Sequence, residues 1–301
     1  MLEFEAGTTK ERLDRFLASR LAEVSLTRIR GMISEGTVLV NGAGALPGLK
    51  LASGDRISIT SSLLPESAAT PEQMPLDVIY EDSEIIVVNK PSGLLVHPSN
   101  KVKTGTLTNA LSYHFLVSGQ RGARTGLVHR LDGNTSGVIV VAKTAHAHRL
   151  LSNAFRERLV SKTYITLVRG RVEAESGAIV APIGYEAGTW PRWKVIDTGR
   201  AAETRYIVKQ RFDEYTLLEL EPLTGRTHQI RIHCAFIGHP VVGDPFYGRT
   251  TDDSSRQIGI KHHLLHALRL EFTHPATRAR MSFQAPIPEI FVRLIATLSS
   301  T

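Results

Sequence analysis

A mixed, largely antiparallel α+β architecture in two unequal parts is what the sequence predicts, and three observations predict it. Strand-like apolar runs outnumber helical ones and do not alternate with them as βαβ units would. Two short amphipathic helical segments followed by small strands come first in the chain. Between these and the longer remainder lies "SSLLPESAATPEQMP", Ser61 to Pro75, rich in Ser, Ala and Pro and without periodicity, which is the composition of a linker. On this reading residues 1–62 form a small domain, 63–75 a linker and 76–301 a large domain.

The first helix is expected over 8–22, where Leu13, Phe16, Leu17 and Leu21 share a face and Thr8 and Glu11 have the spacing of a capping box. A second, "LTRIRGMISEG", turns Leu26, Ile29 and Ile33 inward and stops at Gly36. "TVLVNGAGA" reads as a strand entering an Asn-Gly turn, and "LASGDRISIT" as a turn at Gly54 and Asp55 followed by an alternating strand. In the large domain, strands are expected at 76–80, 85–89, 138–142, 163–168, 204–209 and 215–221, and helices at 145–159 and 227–237. In the last of these, Gly225 supplies a turn, Thr227 stands at the N-cap, and Ile230, Cys234 and Ile237 face inward.

Composition narrows the classes of function. The 301 residues are 42% hydrophobic and 22% charged, ordinary for a globular chain with room for one large domain and a smaller one. No run approaches the ~20 apolar residues of a membrane helix, and "MLEFEAGTTKERLDRF" lacks the basic start and apolar run of a secretory signal, so the cytoplasm is the expected location. A single cysteine, Cys234, leaves no internal disulfide and no multi-cysteine metal site. Lys and Arg number 36 against 29 Asp and Glu, and the resulting +7 favours anionic partners, nucleic acid above all.

Three stretches carry chemistry. In "LVHRLDGNTSGVIVVAKT", residues 127–144, a polar turn runs straight into a β-branched strand, so a core strand braces a loop bearing Arg130 and Asp132. In extended form Arg-Leu-Asp puts Arg130 and Asp132 on one side and Leu131 on the other. A lone turn aspartate is more often a cap, and what raises this one is its company. In "LTGRTHQIRIH", 223–233, Arg231 falls one turn into a helix, where a guanidinium can pair with a carboxylate across a site. A buried carboxylate so paired stays ionised, as nucleophilic attack requires. In "SKTYITLVRG", 161–170, Tyr164 on an alternating strand is either a core residue or a platform for a flipped base.

Two resemblances follow. "RLDRFLASRL", "LTRIRGMISEGTVLVNG" and "LASGDRISI" resemble the αL RNA-binding motif, found also in a small-subunit ribosomal protein. That likeness implies that Lys10, Arg12, Arg28 and Arg30 face structured RNA. "VVNKPSGLLVHPSN", the three stretches above, "HCAFIGHPVVGDPFYG" and "LLHALRLEFTHP" together resemble the RluA-type pseudouridine synthases, in order, over about residues 76–290. The resemblance implies the pseudouridine synthase fold and isomerisation of uridine to pseudouridine in RNA. It places the catalytic aspartate at Asp132, an arginine that fills the gap left by the flipped base at Arg130, the active-site tyrosine at Tyr164 and the basic partner at Arg231. His129, Thr135 and Arg226 stand in the same motifs as candidate RNA contacts. No metal, nucleotide or redox cofactor is implied, and a monomer is expected. Gly133 and Asn134 occupy positions commonly held by a charged pair in relatives. A fused N-terminal RNA-binding module points to large-subunit ribosomal RNA rather than transfer RNA, on analogy of architecture. Whether Asp132 attacks the sugar or takes its 2′-proton is open at this point.

Two other readings compete. Twelve histidines, His228, His233, His262, His263 and His266 among them, raise a zinc hydrolase, but His228 and His233 are poorly spaced for one helix face and no His-Glu-x-x-His word occurs. A non-catalytic ribosomal RNA-binding assembly factor is the other, and the joint presence of Asp132, Tyr164 and Arg231 speaks against it.

Overall fold

The computed structural model describes residues 2–7, 10–21, 24, 26–60, 69–99, 102–120, 125–248 and 260–299, and the chain divides into two compact units, 1–68 and 69–301. In the smaller unit β1 (Leu2–Glu5), α1 (Leu13–Arg20), α2 (Leu26–Ser34), β2 (Val38–Val40), β3 (Ala43–Gly44) and β4 (Arg56–Ile59) follow one another. The strands form an antiparallel sheet in the order β1-β4-β2-β3. Leu13, Phe16, Leu17, Ile29 and Ile33 pack on its buried face with Val38, Ile57 and Ile59, as the helical spacing predicts. Asn41 and Gly42 turn between β2 and β3 with φ of 52° and 80°, the two left-handed residues of a type I′ hairpin. The first helix is shorter than expected. It begins at Leu13 with Arg12 as N-cap, and Thr8 of the expected capping box lies outside the described residues.

The larger unit is built on one mixed sheet. Its elements are β5 (Val78–Glu81), β6 (Ile85–Lys90), α3 (Leu107–Val117), β7 (Gly126–Leu127), β8 (Ser136–Ala142), α4 (Ala145–Arg156), β9 (Ser161–Arg169), β10 (Ser176–Val180), β11 (Ile183–Tyr185), β12 (Trp193–Val195), β13 (Glu203–Arg211), β14 (Tyr215–Pro222), α5 (Gln229–Phe236), β15 (Leu265–Thr273), β16 (Arg280–Gln284) and α6 (Glu289–Ser299). The order across the sheet is β10-β13-β14-β9-β15-β8-β6-β5, with β16 on β15 and β7 on β8. Every pairing in it is antiparallel except β15 with β8.

The apolar run from Val138 has its reason here. All seven residues of β8 are buried, because the strand lies inside the sheet and both of its faces are covered. Val138, Val140 and Ala142 pack with Ala147 and Leu151 of α4, while Ile139 and Val141 pack with Leu107 and Leu111 of α3. At the start of β8, Gly137 has φ of 113°, and a Cβ there would stand 2.1 Å from the Ala267 carbonyl oxygen. The parallel pairing of β8 with β15 therefore needs glycine at this position. Gly137→Ala is expected to cost about 3 kcal/mol or more, read as a fall in the urea midpoint of unfolding.

Several expectations need correction. Residues 69–75, expected as linker, are irregular chain held to the start of α3: Asn109 Nδ2 donates to Thr70 O at 2.9 Å and Glu72 N to Asn109 O at 3.1 Å. Residues 61–68 of that stretch lie outside the described residues. The helix expected over 227–237 runs Gln229–Phe236, and its N-cap is His228 rather than Thr227.

Candidate active site

A cleft of about 920 Å³ in the larger unit is bordered by the 128–135 loop, the segment after α4, β9, and the loop from β14 into α5. The loop holds its shape through bonds on every side. β7 pairs with β8, so the chain leaves and re-enters the sheet at adjacent strands, and Thr135 N donates to Asp132 O at 3.0 Å across the turn. Leu131 is buried in the core, whereas Arg130 and Asp132 border the cleft. Lys90, wholly buried, donates to Pro91 O, Leu94 O and Gly133 O at 2.8–2.9 Å, and Ser92 Oγ donates to Asn134 O at 2.7 Å. Burial holds the Lys90 ammonium down to about 7, and the charge of Asp132 opposes that shift. Thr135 Oγ1 shares a hydrogen bond with His263 Nε2 at 2.9 Å, and Ser136 Oγ one with His266 Nδ1 at 2.8 Å.

Asp132 meets a cation that is itself clamped. Arg231, in the first turn of α5 and 3% exposed, donates from Nη1 to Asp132 Oδ2 at 3.0 Å. Its other edge is bidentate to buried Asp244, Nε to Oδ2 at 2.6 Å and Nη2 to Oδ1 at 2.8 Å. Amides of Phe246 and Tyr247 donate to the same Asp244 carboxylate, and the rings of both residues lie 5.2 Å from the guanidinium carbon. Burial alone would raise the Asp244 carboxyl, but the bonds and charge of Arg231 outweigh it and hold it below its ordinary value. A planar guanidinium gripped this way cannot swing, so the Nη1 that reaches Asp132 has a fixed position.

His228 completes this side of the cleft. Its backbone is left-handed, φ 55° and ψ 21°, and its side chain makes no capping bond to the helix. Nδ1 shares a hydrogen bond with the Tyr247 hydroxyl at 2.9 Å, and Nε2 stands 3.9 Å from Asp132 Oδ2. Burial pushes the imidazole pKa down. Opposite, Tyr164 sits on β9 between Leu220 and Ala267 of the neighbouring strands. Burial raises its hydroxyl pKa most, and the nearby charge of Asp132 adds to the rise.

The structure thus brings Asp132, Tyr164, Arg231 and Arg130 to one cleft. Arg130 is exposed and has no protein partner among the described residues. Of the remaining candidates, His129, Thr135, Arg226, Arg12 and Arg30 make bonds within the fold. His129 lines the cleft, but its ring stacks on Phe155 at 4.5 Å and its Nε2 accepts from Val140 N at 3.1 Å. Burial drives its pKa to about 3, so the ring is neutral. Thr135 is buried and spent on His263, and Arg226 donates from Nε to Ala201 O at 3.1 Å. In the smaller unit Lys10 is exposed, while Arg12 and Arg30, half-exposed, both reach buried Asp14, at 3.0 and 2.8 Å. The Arg28 side chain lies outside what is described.

Sequence reasoning missed Lys90, Asp244 and Tyr247, and weighed His228 only as a metal ligand. The signal for Asp244 was the word Gly-Asp-Pro, a carboxylate in a turn next to two aromatic residues. Four of the histidines weighed for metal, His228, His233, His263 and His266, make other bonds. His233 bonds Thr204 Oγ1 and Ala181 O, and no group of three or more His, Cys, Asp or Glu among the described residues is placed to hold an ion.

The chain is similar to known proteins along nearly its whole length. Residues 84–236 match the RNA pseudouridylate synthase family model and residues 11–57 the S4 domain. An RNA pseudouridine synthase of Bacillus subtilis is 41% identical over 294 residues, covering 96% of this chain and 94% of that one. The ribosomal large subunit pseudouridine synthase D of Pseudomonas aeruginosa is 38% identical, covering 98% and 93%. Among solved structures, human RNA pseudouridylate synthase domain containing 4 aligns with a TM-score of 0.61 at 25% identity, over 74% of this chain and 93% of that one. The corresponding protein numbered 1 aligns at 0.58 and 27%, over 79% and 98%. With its Asp132 cleft and an S4 domain ahead of it, the chain belongs to the RluA-type family of RNA pseudouridine synthases.

Proposed function

We propose that this synthase acts on large-subunit ribosomal RNA, with Asp132 as its catalytic carboxylate. The observation that carries the reading is the carboxylate of Asp132 held by a clamped Arg231 in the same cleft as Tyr164. The reaction exchanges bonds without net redox. The bond from N1 to C1′ breaks, C5 bonds to C1′, the C5 proton leaves and N1 gains one. Both routes open to Asp132, attack on the sugar and removal of its 2′-proton, need a carboxylate of fixed position, and Arg231 supplies that. Tyr164 keeps its proton because burial raises its pKa, so we assign it stacking on the flipped uracil rather than proton removal.

Arg130 is the residue we assign to the space the base leaves. Unstacking costs a few kcal/mol, and an exposed guanidinium on a braced loop offsets part of it. Arg130→Ala is expected to lower kcat/KM roughly 30-fold while the Tm stays within about 1 °C, since its side chain has no protein partner to lose among the described residues. Residues 1–62 act as the RNA-binding domain and 76–301, together with the 69–75 segment held to α3, as the catalytic one, in a cytoplasmic monomer. No helix among the described residues is long and apolar enough to cross a membrane, and relatives named for the ribosomal large subunit align along nearly the whole chain. The target is tested by incubating the chain with unmodified large-subunit ribosomal RNA and separately with bulk unmodified transfer RNA, then mapping pseudouridine by carbodiimide stops. New stops in the ribosomal RNA alone support the reading. Stops in transfer RNA alone replace it.

A further inference from the structure

The cleft holds a second set of cations that the pairing of Asp132 with Arg231 does not use. Lys162 lies two residues before Tyr164 on β9, so the two side chains stand on one face, roughly 7 Å apart along the strand. Among the described residues its ammonium makes one long hydrogen bond, to Thr224 O at 3.4 Å, and no carboxylate comes within ion-pair distance. Burial holds its pKa down to about 8, with Glu221 and Arg158 acting on it in opposite senses. Arg158 follows α4 in a left-handed conformation, φ 59°, and is exposed on the same cleft. Arg280, on the cleft wall as well, donates to Leu159 O at 3.3 Å.

A lysine half-withdrawn from water, with Glu221 acting on it only from beyond ion-pair distance among the described residues, is a cost that packing does not explain. An apolar side chain of the same length would fill the position more stably. Such a cation makes sense when a ligand brings the missing charge. Arg130 and Arg231 are already assigned, and Lys162 stands one strand step from the ring on which the base stacks. We propose that Lys162, with Arg158 beside it, is a binding subsite for a phosphodiester oxygen of the RNA strand next to the uridine held at Tyr164. The assignment rests on the synthase reading above, and it places the RNA backbone along β9 toward the end of α4.

Lys162→Met and Lys162→Arg test it in the full chain. The probe is unmodified large-subunit ribosomal RNA, with equilibrium binding measured between 50 and 200 mM salt. Lys162→Met is expected to bind roughly tenfold more weakly at the low end. Its slope of log affinity against log salt should be shallower by roughly 0.7–0.9, the value of one phosphate contact. Its Tm should equal or exceed the parent's, because a desolvated charge has been removed, whereas a structural lysine would leave the Tm lower. Lys162→Arg should restore the slope. An unchanged slope in Lys162→Met, or weaker binding accompanied by a lower Tm, overturns the subsite. A parent chain that binds this RNA and forms no pseudouridine overturns the synthase reading instead, and the slopes then decide the subsite independently. Failure of the parent to bind at all overturns both.

Discussion

Asp132→Asn is expected to abolish pseudouridine formation, with a fall in the single-turnover rate of roughly 10⁴-fold or more, while RNA affinity stays within about threefold of the parent. The amide has nearly the shape of the carboxylate and can still accept from Arg231 Nη1, which stands 3.0 Å away. It can neither form a bond to C1′ nor take a proton from the sugar at a useful rate. RNA contacts are spread over other cleft residues, so binding survives. Quench-flow turnover and filter binding on one preparation separate the two quantities. Loss of both together would mean that Asp132 holds the loop rather than performs the chemistry.

Asp244→Ala is expected to be the most destabilising change in the site. Arg231 is 3% exposed and gives two of its bonds to Asp244. Removing that carboxylate leaves a buried guanidinium half-compensated, which costs about 3–5 kcal/mol. For a unit of this size the Tm should fall by roughly 10 °C. Activity should fall too, at temperatures where the chain is still folded, because the guanidinium is then free to turn and Nη1 no longer has a fixed position against Asp132. Asp244→Asn keeps an oxygen acceptor in place and should lose less on both scales. Calorimetry with parallel turnover assays checks both, and a Tm within about 2 °C of the parent would refute the clamp.

What could be read from the chain divides along local and non-local lines. The Ser136–Ala142 strand, the α4 helix and the inward faces of α1 and α2 follow from apolar periods contained in a few residues, and the structure has them. Asp132 and Arg231 stand 99 residues apart, and only the likeness of whole motifs brought them together before the fold did. Asp244 and Lys90 were illegible for the same reason. A Gly-Asp-Pro turn and an Asn-Lys-Pro turn look like surface, and their side chains are buried only because α5 and the 128–135 loop fold back over them. The His228 N-cap was misread as Thr227 because threonine is the better capping residue by local chemistry, yet the left-handed histidine is fixed by Tyr247, far along the chain. Strands β15 and β16 went unread, and β15 is the central strand whose parallel pairing with β8 makes Gly137 necessary.

The central claim is that the Asp132 cleft moves uracil from N1 to C5 attachment. Release of tritium from large-subunit ribosomal RNA labelled at uridine C5 reads that bond exchange directly, since every pseudouridine formed expels one C5 hydrogen. The account predicts release that saturates at a small whole number of equivalents per RNA with the parent chain and none above background with Asp132→Asn. Equal release from both chains would place the chemistry elsewhere and contradict it.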